Sequence, residues 1–452
     1  MAEPLNAGLM GMQRIAIIGG GYAGMAAGVS LAAAGRQVCV FEGAKTLGGR
    51  ARGVELDGRQ LDNGQHILIG AYRTLLGLMQ QVGVDERTAL LRLPLTLQQR
   101  TPHGDFRMVA PDWPAPLHSL GALLGAQGIG WGDKLSLVKL MLGAQLAGFR
   151  LATDCSVLAW LEQGGQSPQL IERFWQPLVV AALNTPLETA SAQILLNVLR
   201  DSLMGGRHDG DLLIPRVDFT ALFPQPAADW LAARRSEVRT SCLVRRIARD
   251  AAGWQLDDGD ERFAAVVLAV SPQRVADLLP ETAALDTLRE QLAALHYQPI
   301  QTVYLQYAPD VRLETPMLGV AGGLCQWVFD RGQIHGTPGM LAVVLSARGD
   351  YSDWDATTLA RRVHEELVQH FGLAEPPQWS RVIHEKRATF ACAANLSRPG
   401  NATAVPGLWL AGDYTAGGQA DMTYPATLEG AVRSACAAAE GILKQHFAGI
   451  SF

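Results

Sequence analysis

Apolar and polar positions follow three textures along the chain. Ile15–Ile18 is a short β-branched run, residues 19–21 are glycines, and an Ala-rich stretch then ends at Gly35. This reads as strand, tight turn and packed helix, with residues 37–42 as the next strand. From 106 to 207 the pattern changes. Pro111, Pro114 and Pro116 punctuate the entry, and long Leu/Ala-rich helical stretches follow Ser119. Short strands return at 237–247, 254–256 and 264–270. Residues 281–399 mix helices near 285–295 and 357–371 with strands at 302–307 and 341–346. A buried strand at 407–411, a Gly-rich turn and a helix through about 443 complete the pattern. No repeat period competes with this α/β reading.

Composition narrows the classes. The 452 residues allow two or three domains. Charged residues are only 18%, against a usual share of about 25%, so extensive disorder is excluded and an apolar ligand space is expected. A net charge of −5 gives no global attraction to nucleic acid, which is not expected as a partner. Cys39, Cys155, Cys242, Cys325, Cys392 and Cys436 stand apart, without the paired spacing of a zinc site, a redox dithiol or a disulfide framework. A reducing cytoplasm fits that usage, and no secretory leader is expected from the N-terminal pattern. Residues 15–35 are 21 uncharged positions, long enough to cross a bilayer, but their strand–glycine–helix order argues for a packed unit.

The strongest chemical signal is Gly19-Gly20-Gly21-Tyr22-Ala23-Gly24, a G-x-G-x-x-G between a predicted strand and a predicted helix. The first glycine permits the tight turn, the second lets backbone approach a pyrophosphate, and the third lets the helix pack on the sheet. The helix N-terminus offers free N–H donors to phosphate. Glu42 ends the second strand, where a carboxylate can accept hydrogen bonds from an adenosine ribose. Leu47-Gly48-Gly49-Arg50-Ala51-Arg52 adds two glycines for close approach and two arginines that suit phosphate oxygens. Far downstream, Leu408-Trp409-Leu410-Ala411-Gly412-Asp413 is a buried strand ending in Gly-Asp, and the segment from Thr423 to Ala431 leads into a helix.

These anchors, in this order and over the length of the chain, resemble the flavin-dependent amine oxidase and phytoene desaturase superfamily. Within it, the segments Leu61 to Tyr72 and Tyr424 to Ser434 look most like the hydroxysqualene dehydroxylase branch. The resemblance implies a glutathione-reductase-type, Rossmann-like FAD-binding domain built from 13–105, 208–280 and 400–447. An α+β substrate domain of 106–207 and 281–399 would be interleaved with it. It places Gly19, Gly21, Ala23 and Gly24 at the pyrophosphate, Glu42 at the ribose, and Gly48, Gly49 and Arg50 along the phosphates. Val244 would touch the adenine side through its backbone. Asp413, with Gly412, would lie near the ribityl or pyrophosphate portion, Leu428 would belong to the same site, and Gly64, Gln65 and His66 would pass beside the isoalloxazine.

The activity implied is reductive removal of the hydroxyl of hydroxysqualene to give squalene. A carotenoid-type desaturase or amine oxidase, and a non-catalytic flavin or lipid carrier, remain open alternatives. The apolar polyprenoid would be the substrate, and an external donor would supply electrons, because no second G-x-G-x-x-G follows a strand. A departing hydroxyl needs an acid. His66 is the first candidate, with Asp421 and Tyr424 as alternates. Tyr72, Trp175, Trp327 and Tyr424 are candidates to stabilise an allylic cation through their ring faces. Residues 113–151 carry apolar clusters expected to form a lid, a peripheral contact with the inner face of the cytoplasmic membrane, or simply packed helices.

Overall fold

The computed structural model describes residues 14–101, 104–115, 117–417 and 423–448. Five strands form one parallel sheet in the order Glu237–Arg239, Val38–Phe41, Ile15–Ile18, Ala265–Leu268, Leu408–Leu410. The last four are buried along their whole length, as a parallel sheet covered on both faces requires. Alternation sorts their side chains. Ile15, Ile17, Val38, Val40, Ala265 and Val267 pack with helices Tyr22–Ala33, Pro224–Ala232 and Leu428–Ala448. Ala16, Ile18, Cys39, Phe41, Val266 and Leu268 join the opposite core with Trp254 and Phe263. The 21 uncharged residues are therefore a strand, a turn and a helix inside this layer. Among the described residues, no helix is long and apolar enough to cross a membrane.

A second sheet of seven strands runs Trp379–Phe390, Tyr297–Gln306, Met340–Ser346, Trp327–Asp330, Met317–Val320, Thr96–Arg100, Phe106–Val109. It is antiparallel apart from the pairing of Met317–Val320 with Thr96–Arg100. Helices Leu117–Leu124, Trp131–Leu146, Val157–Gln163, Gln176–Leu183 and Ala192–Leu203 form the insertion read from the Leu/Ala texture.

Two details differ from the sequence reading. The strand expected over 237–247 is broken. After Arg239 the chain turns through Ser241, whose φ is 53°, and the amides of Ser241 and Cys242 bond to the carbonyls of Ala44 and Glu42 at 2.9 and 2.8 Å. Pairing resumes at Ile247–Asp250, in a hairpin with Gly253–Leu256. The division read between 105 and 106 falls inside the hairpin of Thr96–Arg100 and Phe106–Val109, so both of those strands lie in the seven-stranded sheet.

Candidate active site

The three glycines of the N-terminal turn have separable roles. Gly19 has a φ of +112°, and a Cβ there would lie 2.4 Å from the carbonyl oxygen of Ala269; a Cβ on Gly24 would lie 1.8 Å from that of Gly19. Both positions are demanded by the fold itself. Gly21 is not. Its φ is −78°, and a Cβ would have its nearest neighbours, in Gly48 and Gly49, at 3.8 Å. The protein leaves room there that the protein does not use. Gly21 also caps helix Tyr22–Ala33 without any side-chain acceptor, so the first amides of that helix are free to meet an anion. An open cradle at an uncapped helix N-terminus fits a pyrophosphate.

Glu42 lies beside this turn. Its Oε2 accepts from the Gly20 amide at 2.7 Å and its Oε1 from the Ala44 amide at 2.8 Å. The carboxylate is thereby fixed at the rim of the cavity with lone pairs to spare for a diol. Glu42→Arg is expected to yield protein with much less bound flavin, by about tenfold or more in affinity, because a cation replaces the acceptor. The visible absorbance per chain after purification checks this.

The cavity is about 900 Å³ and runs from this cradle to the inserted helices and the seven-stranded sheet. Of the residues singled out in the sequence, Gly19, Gly21, Ala23, Glu42, Gly48, Gly49, Arg50, Gly64, Gln65, His66, Gly412, Asp413, Tyr424 and Leu428 all line it. So do the aromatics Tyr72, Trp175 and Trp327. Gly24 instead packs helix on strand. Val244 is buried away from the lining, and its carbonyl accepts from Arg274 Nη2 at 2.7 Å; Arg274 is the residue of that pair on the cavity wall. Asp421 lies outside the described residues.

Arg50 has protein partners of its own. Its Nη2 bonds Asp413 Oδ1 at 2.7 Å and its Nη1 the Ala388 carbonyl at 2.7 Å. The Gly-Gly-Arg segment is thus locked to the Gly-Asp turn 363 positions away. A second arginine, which carries no sequence motif, organises the C-terminal wall. Arg398 is 8% exposed and donates to the carbonyls of Asp413, Tyr414, Thr415 and Tyr424. Burial lowers its pKa.

His66 is the sequence's first acid, and its surroundings argue against that role. Burial is the largest influence, with the Gly64 carbonyl pulling the other way, and the ring's pKa is lowered to about 4. Nδ1 sits 3.3 Å from the Gly64 carbonyl, and the ring stands edge-on to Phe219 at 4.7 Å. With Nδ1 donating to Gly64, Nε2 is left an acceptor. A neutral imidazole has no proton of an acid near pH 7 to give. Any activity limb between pH 5 and 8 is therefore expected to persist in His66→Gln; its disappearance in a pH–rate profile would return the limb to His66.

Tyr424, the alternate, lies in a hydrogen-bonded cluster on the same cavity. Its hydroxyl donates to Asp201 Oδ2, its carbonyl accepts from Arg398 Nη1 at 2.6 Å, and the Arg433 guanidinium lies 4.1 Å from its ring centroid. Burial first, and the bond to Asp201 next, raise the phenol's pKa and keep it protonated. Asp201 is a site residue the sequence reading missed, since helix Ala192–Leu203 carries it without any local signature.

Comparison with known proteins agrees with this geometry. A hydroxysqualene dehydroxylase of Rhodopseudomonas palustris is 31% identical over 94% of this chain and 97% of its own length. One of Sinorhizobium fredii is 29% identical over 96% and 99%. In the solved structure of an oxidoreductase from Methanosarcina mazei, the fold matches with a TM-score of 0.72 at 17% identity, covering 95% of this chain and 100% of that one. The family model described as flavin containing amine oxidoreductase matches residues 22–443. The chain belongs to that family and is an FAD-dependent oxidoreductase.

Proposed function

We propose that the protein removes the hydroxyl of hydroxysqualene reductively to give squalene. The observation that carries this reading is the continuity of the cavity. One end is the glycine cradle with Glu42, and the other is walled by Leu, Met, Phe and Trp side chains such as Leu123, Met141, Phe174 and Trp175. Such a wall suits a long hydrocarbon and excludes water. The relatives' names give the oxygenated C30 substrate its chemical identity.

FAD, when bound and reduced, supplies a hydride. Gly21 and the helix amides would hold its pyrophosphate, Glu42 its ribose, and Gly64, Gln65 and His66 would border its ring system. The remaining tasks fall to the chain. Loss of the hydroxyl as water leaves positive charge on an allylic carbon skeleton, and the rings of Tyr72, Trp175 and Trp327, which line the cavity, would stabilise it, each by roughly 0.5–2 kcal/mol; the Tyr424 ring already has the Arg433 guanidinium against it. Trp175 is held for this by an indole bond to Gln166 Oε1 at 3.1 Å and edge contacts with Phe174 and Trp160. Electrons would come from an external donor. Product analysis tests the assignment: squalene from hydroxysqualene under reducing conditions is expected, whereas desaturation of a polyene under oxidising conditions, with no dehydroxylation, would select the rival reading.

We propose further that the mouth of the cavity meets a lipid surface. Of the 12 exposed large apolar residues recorded among the described ones, eight lie between Trp113 and Leu146. Trp131, Leu135, Leu142 and Leu146 form one outward stripe of helix Trp131–Leu146, and Leu117, Leu120 and Leu142 also line the cavity. Replacing the four stripe residues by Ser is expected to abolish flotation with liposomes while leaving FAD bound; unchanged flotation removes the proposal.

A further inference from the structure

The cavity beyond the cofactor end is lined mainly by apolar side chains, and among its polar groups a carboxyl and a phenol meet on its wall. Asp201 comes from the inserted helix Ala192–Leu203, and Tyr424 from the C-terminal stretch that leads into helix Leu428–Ala448. Both line the cavity. Among the described residues, Asp201 Oδ1 accepts from Arg200 Nε at 2.9 Å, Oδ2 accepts from the Tyr424 hydroxyl, and the Arg433 guanidinium lies against the Tyr424 ring. The backbone on both sides is fixed as well, because Asn197 Nδ2 donates to the Thr423 carbonyl at 3.1 Å and Arg398 holds that of Tyr424. A phenol oxygen that donates to a carboxyl keeps lone pairs with which to accept another hydroxyl's proton, and the carboxyl keeps lone pairs too. A pure hydrocarbon has no use for either.

The geometry points to the Asp201–Tyr424 pair as the recognition site for the hydroxyl of a long apolar alcohol. This rests on the reading of the cavity as a polyprenoid site and adds the group that tells an alcohol from the matching hydrocarbon. In the dehydroxylation the same pair stands where the C–O bond breaks. For this step the Tyr424 O–H turns from Asp201 to the substrate oxygen, which takes its proton and departs as water. The Tyr424 oxygen is reprotonated from solvent by way of Asp201, and the carbon accepts the hydride, so the hydride takes the hydroxyl's place on carbon and the proton leaves with the oxygen in water.

Binding to the oxidised holoenzyme, followed by perturbation of the flavin spectrum, tests the pair without turnover. The probes are geranylgeraniol and its deoxy hydrocarbon. The expected result is a preference for the alcohol of about tenfold in the unaltered protein. That preference is lost in Asp201→Asn and in Tyr424→Phe, with hydrocarbon affinity and FAD content unchanged in both. A merely structural pair would weaken both probes together. Absence of the preference in the unaltered protein, its persistence in both variants, or equal weakening of both probes overturns the inference. Conversion of hydroxysqualene to squalene is scored separately, so failure of that reaction alongside an intact alcohol preference would remove the proposed substrate and leave the hydroxyl site standing.

Discussion

Gly21→Val yields a folded protein that purifies without its yellow colour. The chain itself leaves ordinary van der Waals space for the branch point, since a Cβ at Gly21 stands 3.8 Å from its nearest neighbours. What it fills is the opening in front of the free amides of helix Tyr22–Ala33. Forcing a pyrophosphate past that branch costs about 1–3 kcal/mol, or roughly five- to 150-fold in affinity. Gly24→Val is the contrasting variant. It drives a side chain into the Gly19 carbonyl and is expected to destabilise the whole domain. Flavin absorbance per chain and the thermal midpoint, measured on both variants, separate the two outcomes. A Gly21→Val protein with full flavin content would contradict the cradle.

Arg398→Ala is expected to cost about 3 kcal/mol or more in stability and to release flavin as well. The substitution strips the donors from four carbonyls on two loops, those of residues 413–415 and 424. Buried acceptors left without partners carry a desolvation penalty of about 1–3 kcal/mol each, and part of that is relieved where water enters. Arg398→Lys should restore little, because one ammonium cannot span positions reached by a planar fork. Chemical denaturation gives the stability, and the flavin content after desalting gives the second readout. A midpoint within error of the unaltered protein would remove Arg398 from its organising role.

The parts of the site legible in the sequence are those whose physics is local. The turn at Gly19, the close packing at Gly24 and the acid at Glu42 follow from residues within 24 positions of one another, and fixed spacing exposes them. The segments at 61–72 and 424–434 were readable as well, through resemblance. Arg398, Arg274 and Asp201 were not. Asp201 meets its phenol across 223 positions, Arg274 meets Val244 across 30, and Arg398 reaches 26 positions ahead; an isolated Asp or Arg in an amphipathic stretch announces no such partner. For His66 the sequence reveals its neighbours Gly64 and Gln65 and not the surroundings that lower its pKa. The break in the 237–247 strand belongs to the same class, since the acceptors that capture Ser241 and Cys242 are Ala44 and Glu42, in a different stretch of chain.

One measurement bears most directly on the account. The holoenzyme is photoreduced without oxygen and mixed with hydroxysqualene, and flavin absorbance is followed while the lipid is extracted and identified. The account predicts reoxidation of the flavin with one squalene formed per flavin oxidised. A flavin that stays reduced in the presence of bound hydroxysqualene would contradict it.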